Sequence, residues 1–244
     1  MLLFSVVTVS RNAGSTIRRT LRSVQQQVGV GGLVEHVVID GNSTDRTTQI
    51  LREFEDLVWV SESDSGIADA FNKGLKLSRG KYLLYLNADD FLVDDCVLQD
   101  AARFLESEHF PPWVVGDVVV GCSTEEGNPS GFPKKKSVPL SCWSLLFRNR
   151  IPHPAVFLSR DTLNEVGGFD TSFRYAMDYE LWHRLCERKF GPVHMPRVVS
   201  VFSLGGVSST GSPTYFLEQR TVIAKFRDTP FKRLIGNLYD HWVS

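Results

Sequence analysis

Four times in its first 105 residues the chain passes from a short apolar run to a segment whose apolar residues recur at helical spacing, an alternation that few folds can satisfy. Phe4 to Val9 is apolar and β-branched; Ile17, Leu21, Val24 and Val28 then follow at helical spacing, with Ser15 placed to cap them. Leu33 to Ile39 repeats the strand pattern. It runs into the turn Asp40-Gly41-Asn42-Ser43-Thr44-Asp45 and a helix marked by Thr47, Ile50, Leu51 and Phe54. Val58 to Val60, Tyr82 to Leu86 and Trp113 to Val120 are further strands; Ile67 to Leu77 and Val97 to Leu105 are further helices. Such alternation predicts a parallel sheet covered by helices. From Thr124 to Pro139 the chain is rich in Gly, Pro, Ser and Lys and reads as a long loop. Beyond it, Ala155 to Leu158, a helix over Asp178 to Arg188, and Val198 to Phe202 predict a mixed second half.

With 42% hydrophobic and 23% charged residues in 244, the chain fits one large globular domain and excludes disordered or fibrous classes. Cys96, Cys122, Cys142 and Cys186 stand 26, 20 and 44 residues apart, so no C-x-x-C pair suggests zinc or redox chemistry, and they read as buried thiols. No apolar run approaches the ~18 residues of a membrane span, and Met1-Leu2-Leu3-Phe4 lacks a basic leader, so a cytoplasmic location is expected. The net charge of -1 conceals an asymmetry. Residues 1 to 126 carry 11 Lys/Arg and 19 Asp/Glu, a net of -8; residues 127 to 244 carry 16 and 9, a net of +7. No acid falls between Glu126 and Asp161, where Lys134, Lys135, Lys136, Arg148, Arg150 and Arg160 lie.

The acids of the first half stand at strand ends. Asp40 follows the second strand, Asp64 the third, and Asn87-Ala88-Asp89-Asp90 the fourth. In an open parallel sheet, ligands bind at that edge. Asp89 and Asp90 repel each other unless a cation or donors compensate, although a lone Asp-Asp pair also serves as a turn and helix cap. Gly74 to Lys81 lacks the spacing and the hydroxyl of a P-loop, and no G-x-G-x-x-G follows the first strand. Acids without a glycine cradle suit a nucleoside diphosphate held through Mg²⁺ or Mn²⁺.

Taken in order, Thr8-Val9-Ser10-Arg11-Asn12, Ile39-Asp40-Gly41-Asn42-Ser43-Thr44-Asp45, Asp64-Ser65-Gly66-Ile67-Ala68-Asp69-Ala70-Phe71-Asn72-Lys73-Gly74 and Leu86-Asn87-Ala88-Asp89-Asp90 resemble the family 2 glycosyltransferases. Gly167-Gly168-Phe169-Asp170 and Met177-Asp178-Tyr179-Glu180-Leu181-Trp182 resemble the family's acceptor side, so the likeness covers most of residues 4 to 210. It is greatest to the branch that builds bacterial O-antigens, capsules and exopolysaccharides.

That resemblance implies an α/β GT-A fold, with a Rossmann-like, mostly parallel sheet and a mixed acceptor-side half. It also implies a nucleotide-sugar donor, a glycan or polyprenyl-diphosphate-linked acceptor, and inversion at the anomeric carbon. Residues 1–106 would form the donor half, 107–210 the acceptor side and 211–244 a helical tail of one domain. Thr8, Ser10 and Asp40 resemble the nucleoside pocket, with Asp64 near the base; Asp69, Asn72 and Lys73 resemble donor-side residues beside the diphosphate and sugar. Asp89 resembles the last acid of the D-x-D metal motif, but the first is replaced by neutral Asn87. Gly205 stands where many relatives place a metal-binding His. The metal is therefore expected to be weakly held without donor.

Asp178 is the expected general base: it shares a helical face with Leu181, Trp182 and Leu185, whereas Glu180 does not. An N-cap role would also explain it. His153, in Pro152-His153-Pro154, is assigned to the acceptor side. A nucleotidyltransferase and an inactive sugar-binding module remain alternatives, the first lacking its glycine-rich basic loop here, the second motivated by Asn87 and Gly205. The basic half, and a tail in which Phe231, Leu234, Ile235, Leu238 and Trp242 keep a roughly helical period, predict contact with an anionic membrane surface; a docked core helix would read the same. No nucleic-acid partner is expected.

Overall fold

A computed structural model describes residues 2–122, 130–136, 142, 144–203 and 213–227. The first half is built as the alternation predicts. Strands β1 (Phe4–Ser10), β2 (Val34–Asp40), β3 (Leu57–Ser61) and β4 (Tyr82–Tyr85) alternate with helices α1 (Ile17–Gln25), α2 (Thr47–Leu51) and α3 (Ile67–Leu77). The pairs β1–β2, β2–β3 and β1–β4 are all parallel. Consecutive strand residues are buried on opposite faces, Val7, Val37 and Leu83 in one apolar cluster and Val6, Tyr82 and Leu84 in another. Continuous apolar runs are what a sheet covered on both faces requires. Helix α3 lies so close to β1 that a Cβ on Gly74 would come within 2.3 Å of the Val7 side chain.

The second half adds a two-residue strand β5 (Phe91–Leu92), α4 (Val97–Ser107), β6 (Trp113–Cys122), β7 (Ser130–Lys136), β8 (Val156–Ser159), α5 (Arg160–Glu165), α6 (Met177–Glu187), β9 (Val193–Ser203) and α7 (Pro213–Arg227). One nine-stranded sheet results, ordered β3-β2-β1-β4-β8-β6-β9-β5, with β7 paired to β6. Direction becomes mixed there: β4–β8, β6–β8, β6–β7 and β5–β9 are antiparallel, and β6–β9 is parallel.

Three expectations are corrected. The segment read as a loop contains β7, which sets Lys136, Lys135 and Lys134 opposite Val118, Val119 and Val120. Pro and Lys suit an edge strand, so composition hid it. Cys142 and Cys186 are not free thiols but form a disulfide; the fold brings their Cα atoms to 5.7 Å across 44 residues of sequence. Cys96 is free. Ser15 does not cap α1, whose N-cap is Thr16, without a side-chain bond. Gly205 and the tail residues Phe231, Leu234, Ile235, Leu238 and Trp242 lie outside the described residues.

Candidate active site

The carboxyl ends of β1, β2 and β3 are tied together by one carboxylate. Register puts Ser10 beside Asp40 and Asp40 beside Ser61. The wholly buried Asp40 accepts bonds from Ser10 Oγ at 3.1 Å, Ser61 Oγ at 2.6 Å and the Ser43 backbone N–H at 2.9 Å, besides Ser43 Oγ. The two loops that follow interlock. Asn12 N–H donates to Ser43 Oγ and Asn12 Oδ1 accepts from Thr44 N–H. Asn12 and Asn42 both take φ near +55°, at 52° and 57°, a conformation Asn tolerates better than most residues. Thr8 sits deeper: it is wholly buried and bonded to His36, whose pKa burial pulls down to about 3.

Between these loops and the end of β4 opens a pocket of about 520 Å³. Ser10, Asp64, Asn87 and Asp89 line it, together with Arg11 and Arg174, cations that the sequence patterns did not single out. Asp64 Oδ1 accepts the Gly66 N–H, and Gly66 takes φ 136°, which lets α3 start beside the pocket. Asp69, Asn72 and Lys73 are turned elsewhere. Asn72 bonds both backbone groups of Phe169 at 2.8 Å, and Lys73 bonds Ser63 O and Glu62, with Asp69 3.8 Å away.

At the end of β4 the paired acids differ sharply. Asp90 is 1% exposed; Oδ1 accepts the Ser203 N–H at 2.8 Å and Oδ2 accepts Asn87 Nδ2 at 3.2 Å. Burial, with Asp89 adding to it, pushes the Asp90 carboxyl up to about 8. Asp89 is raised less, also by burial, with Arg19 opposing. Arg19 holds this turn from behind by donating to Asp89 O at 2.9 Å. Among the described residues no cluster of three or more His, Cys, Asp or Glu is placed to hold a metal. One carboxylate, Asp89, still fits a hard divalent cation that takes its other ligands from a diphosphate and water, because Mg²⁺ is commonly held by one or two carboxylates plus substrate phosphates.

A second pocket, of about 410 Å³, adjoins the first and shares Ile67, Asn87, Tyr175 and Phe202 with it. Asp178, in the first turn of α6, lines this pocket. Its Oδ1 accepts the Tyr179 N–H at 2.6 Å and its Oδ2 accepts Asn149 Nδ2 at 3.1 Å. Burial lifts its pKa to about 6, against these donors. The N-cap of α6 is Ala176, so Asp178 is not spent on capping. Glu180 is wholly buried and paired at 2.7 Å with both Arg184 and Lys225. His153 lines the same pocket, 3.0 Å from Asn87 Nδ2, and burial lowers its pKa to about 4.

A mostly parallel α/β sheet with a nucleotide-sized pocket at its carboxyl edge and a carboxylate in an adjoining pocket defines a GT-A-type transferase. The sequence description of Glycosyl transferase family 2 matches residues 5–160, and the chain belongs to that family. It is a glycosyltransferase. A PGL/p-HBAD biosynthesis glycosyltransferase of Mycobacterium bovis is 30% identical over 225 residues, covering 89% of this chain and 83% of the relative. Among solved structures, residues 1–349 of Staphylococcus aureus TarS in complex with UDP superpose with a TM-score of 0.71 at 22% identity, covering 94% of this chain and 67% of that one. Against the longer TarS structure the chain spans 40% of the length. A mannosyltransferase from Pyrobaculum calidifontis in complex with GDP-Man and Mn²⁺ gives a TM-score of 0.62 at 22% identity, covering 84% and 58%.

Proposed function

We propose that this enzyme moves a sugar from a nucleoside-diphosphate donor to a hydroxyl of a glycan or lipid-linked glycan acceptor, with inversion, in the assembly of a bacterial surface glycan. The observation that carries the reading is the shared wall of the two pockets, which puts Asp178 one pocket away from the carboxyl edge of the sheet. The UDP and GDP-Man held by the two similar solved structures support the donor class.

In this reading residues 1–106 form the donor half, 107–210 the acceptor side and 211–244 the tail. Ser10 and Asp64 face the nucleoside, while Asp40 and Thr8 support them from inside the sheet. Asn72 holds Phe169, and Asp69 and Lys73 brace the start of α3. The Asp178 carboxylate takes the proton of the acceptor hydroxyl as that oxygen forms its bond to C1; the bond from C1 to the diphosphate oxygen breaks, and the electron pair leaves with the nucleoside diphosphate. A bound Mg²⁺ or Mn²⁺, held by Asp89 and the diphosphate, would supply charge neutralisation for the leaving group. Arg11 and Arg174 line the same pocket and contribute to that neutralisation directly. His153, kept neutral, orders the acceptor side through Asn87.

No helix among the described residues is long and apolar enough to cross a membrane. We place the enzyme on the cytoplasmic face of the membrane, held by its basic half. A thermal-shift panel of UDP-, GDP- and dTDP-sugars with and without Mn²⁺ tests the donor reading. One nucleotide class should stabilise the protein, more strongly with Mn²⁺. No stabilisation by any of them would favour an inactive module.

A further inference from the structure

The acidic half of the chain contains a basic island. Its first acid is Glu35, so residues 1–34 carry Arg11, Arg18, Arg19 and Arg22 with no acid among them. The fold gathers three of these with Arg46 in a trough of about 960 Å³, lined by α1, α2 and residues 91–95. It shares Ser15 and Thr16 with the 520 Å³ pocket, but no charged residue. Glu53, Asp94 and Asp95 oppose the four arginines there. Two of these acids are already engaged. Glu53 takes both terminal nitrogens of Arg18, at 2.6 and 2.7 Å, and both oxygens of Asp94 lie 2.7 Å from Nη2 of Arg197, which is outside the trough. That leaves Asp95 against Arg19, Arg22 and Arg46, an excess of two cations.

The three differ in what they leave open. Arg19 is anchored: Nη2 donates to Asp89 O and Ser203 Oγ at 2.9 and 3.3 Å, the guanidinium lies 4.1 Å over the Phe91 ring, and its buried Nε has no partner. Arg46 uses Nε on Gly14 O at 2.9 Å, which steadies the side chain and leaves both terminal nitrogens. Arg22 is exposed and makes no hydrogen bond to a described residue. Every cation in the trough is an arginine, whose planar fork grips phosphate oxygens two at a time. A phosphoryl group brings close to two negative charges and three acceptor oxygens, which matches an excess of two cations with open forks; a lone carboxylate would satisfy only one.

We propose that the trough is an anion site separate from the donor pocket, taking a phosphomonoester or diphosphate group on the open ends of Arg22 and Arg46. It stands independently of the transferase reading. Calorimetric titration of the full chain with inorganic pyrophosphate in metal-free buffer tests it. Arg22→Ala combined with Arg46→Ala should weaken binding about tenfold or more, the worth of charge-assisted bonds lost at two arginines. Arg22→Glu alone, at an exposed position, should give a comparable loss and keeps the test open if the double variant does not fold. Arg11→Ala, in the donor pocket, and Arg52→Ala combined with Arg103→Ala, which removes two exposed cations outside the trough, should leave this binding in place. No binding by the wild type, a loss that follows Arg11→Ala, an equal loss from the outside pair, or an affinity untouched at Arg22 and Arg46 would overturn the proposal. Phosphatidylcholine vesicles carrying phosphatidic acid then distinguish the sources of such a group. Flotation abolished by Arg22→Glu assigns it to a lipid headgroup; no flotation, or flotation that Arg22→Glu leaves unchanged, assigns it to a soluble ligand.

Discussion

Asp178 and Glu180 are chemically alike and two residues apart, yet their surroundings assign them different work. Glu180 is locked between Arg184 and Lys225, whereas Asp178 faces a pocket with its pKa lifted to about 6. Asp178→Asn keeps the side chain's shape and an acceptor for one of its two donors but takes no proton, so turnover should fall by about two to four orders of magnitude with donor affinity unchanged. A base acts deprotonated. In the wild type, kcat/KM should therefore climb tenfold per pH unit below about 6 and level off above it, which a pH–rate profile would check. The other acid pair separates likewise. Asp89→Ala should abolish Mn²⁺-dependent donor binding without lowering Tm. Asp90→Ala removes the acceptor for the buried Ser203 N–H and should cost about 1–3 kcal/mol of stability, visible in a melt. The motifs that named Asp64 and Asp89 led directly to pocket-lining residues. The same string also named Asn72, which the structure turns towards Phe169, 97 residues away, a partner no local spacing reveals.

Helix α6 has no side-chain cap of its own; α7 supplies one. Glu218 accepts the backbone N–H groups of Arg174, Tyr175 and Ala176 at 2.9, 2.7 and 2.9 Å. Four residues on, Val222 is buried, and Lys225 and Phe226 reach Glu180 and His183. One face of α7 thus fixes both the start of the helix that carries Asp178 and the loop that puts Tyr175 between the pockets. Glu218→Ala should cost about 0.5–2 kcal/mol, the usual worth of an N-cap, and lower Tm by several degrees. Glu218→Gln, which retains an acceptor, should recover part of that loss. The parallel half was legible because β1, β2 and β4 are almost continuously buried apolar runs and each helix buries one face, whereas the partly exposed β3 is marked by its short apolar run alone. The mixed half was legible in part, since β6, β8, α6 and β9 fall where strands and a helix were expected. β5 is two residues long, β7 is written in Gly, Pro and Lys, and the Cys142–Cys186 link joins α6 to a segment that only the fold brings near.

Across the whole chain, acids gather in residues 1–126 and cations in residues 127–244. The proposed membrane-borne acceptor would account for that division, each basic residue near an anionic surface contributing on the order of 1 kcal/mol. The protein should float with phosphatidylglycerol vesicles at low salt, stay behind with phosphatidylcholine, and be released near 0.5 M salt, where the Debye length falls to roughly 4 Å. Neutralising Lys134, Lys135 and Lys136 should weaken the attachment; flotation indifferent to lipid charge would exclude it. The central claim, that Asp178 drives a single displacement at the anomeric carbon, is tested most directly by proton NMR of the sugar released or transferred from the donor that stabilises the protein, with the wild type and Asp178→Asn run side by side. From an α-linked donor the wild type should yield the β-configured product, and the variant about a hundredfold less of it or lower still. An α-configured product, or equal turnover by the variant, would contradict the claim.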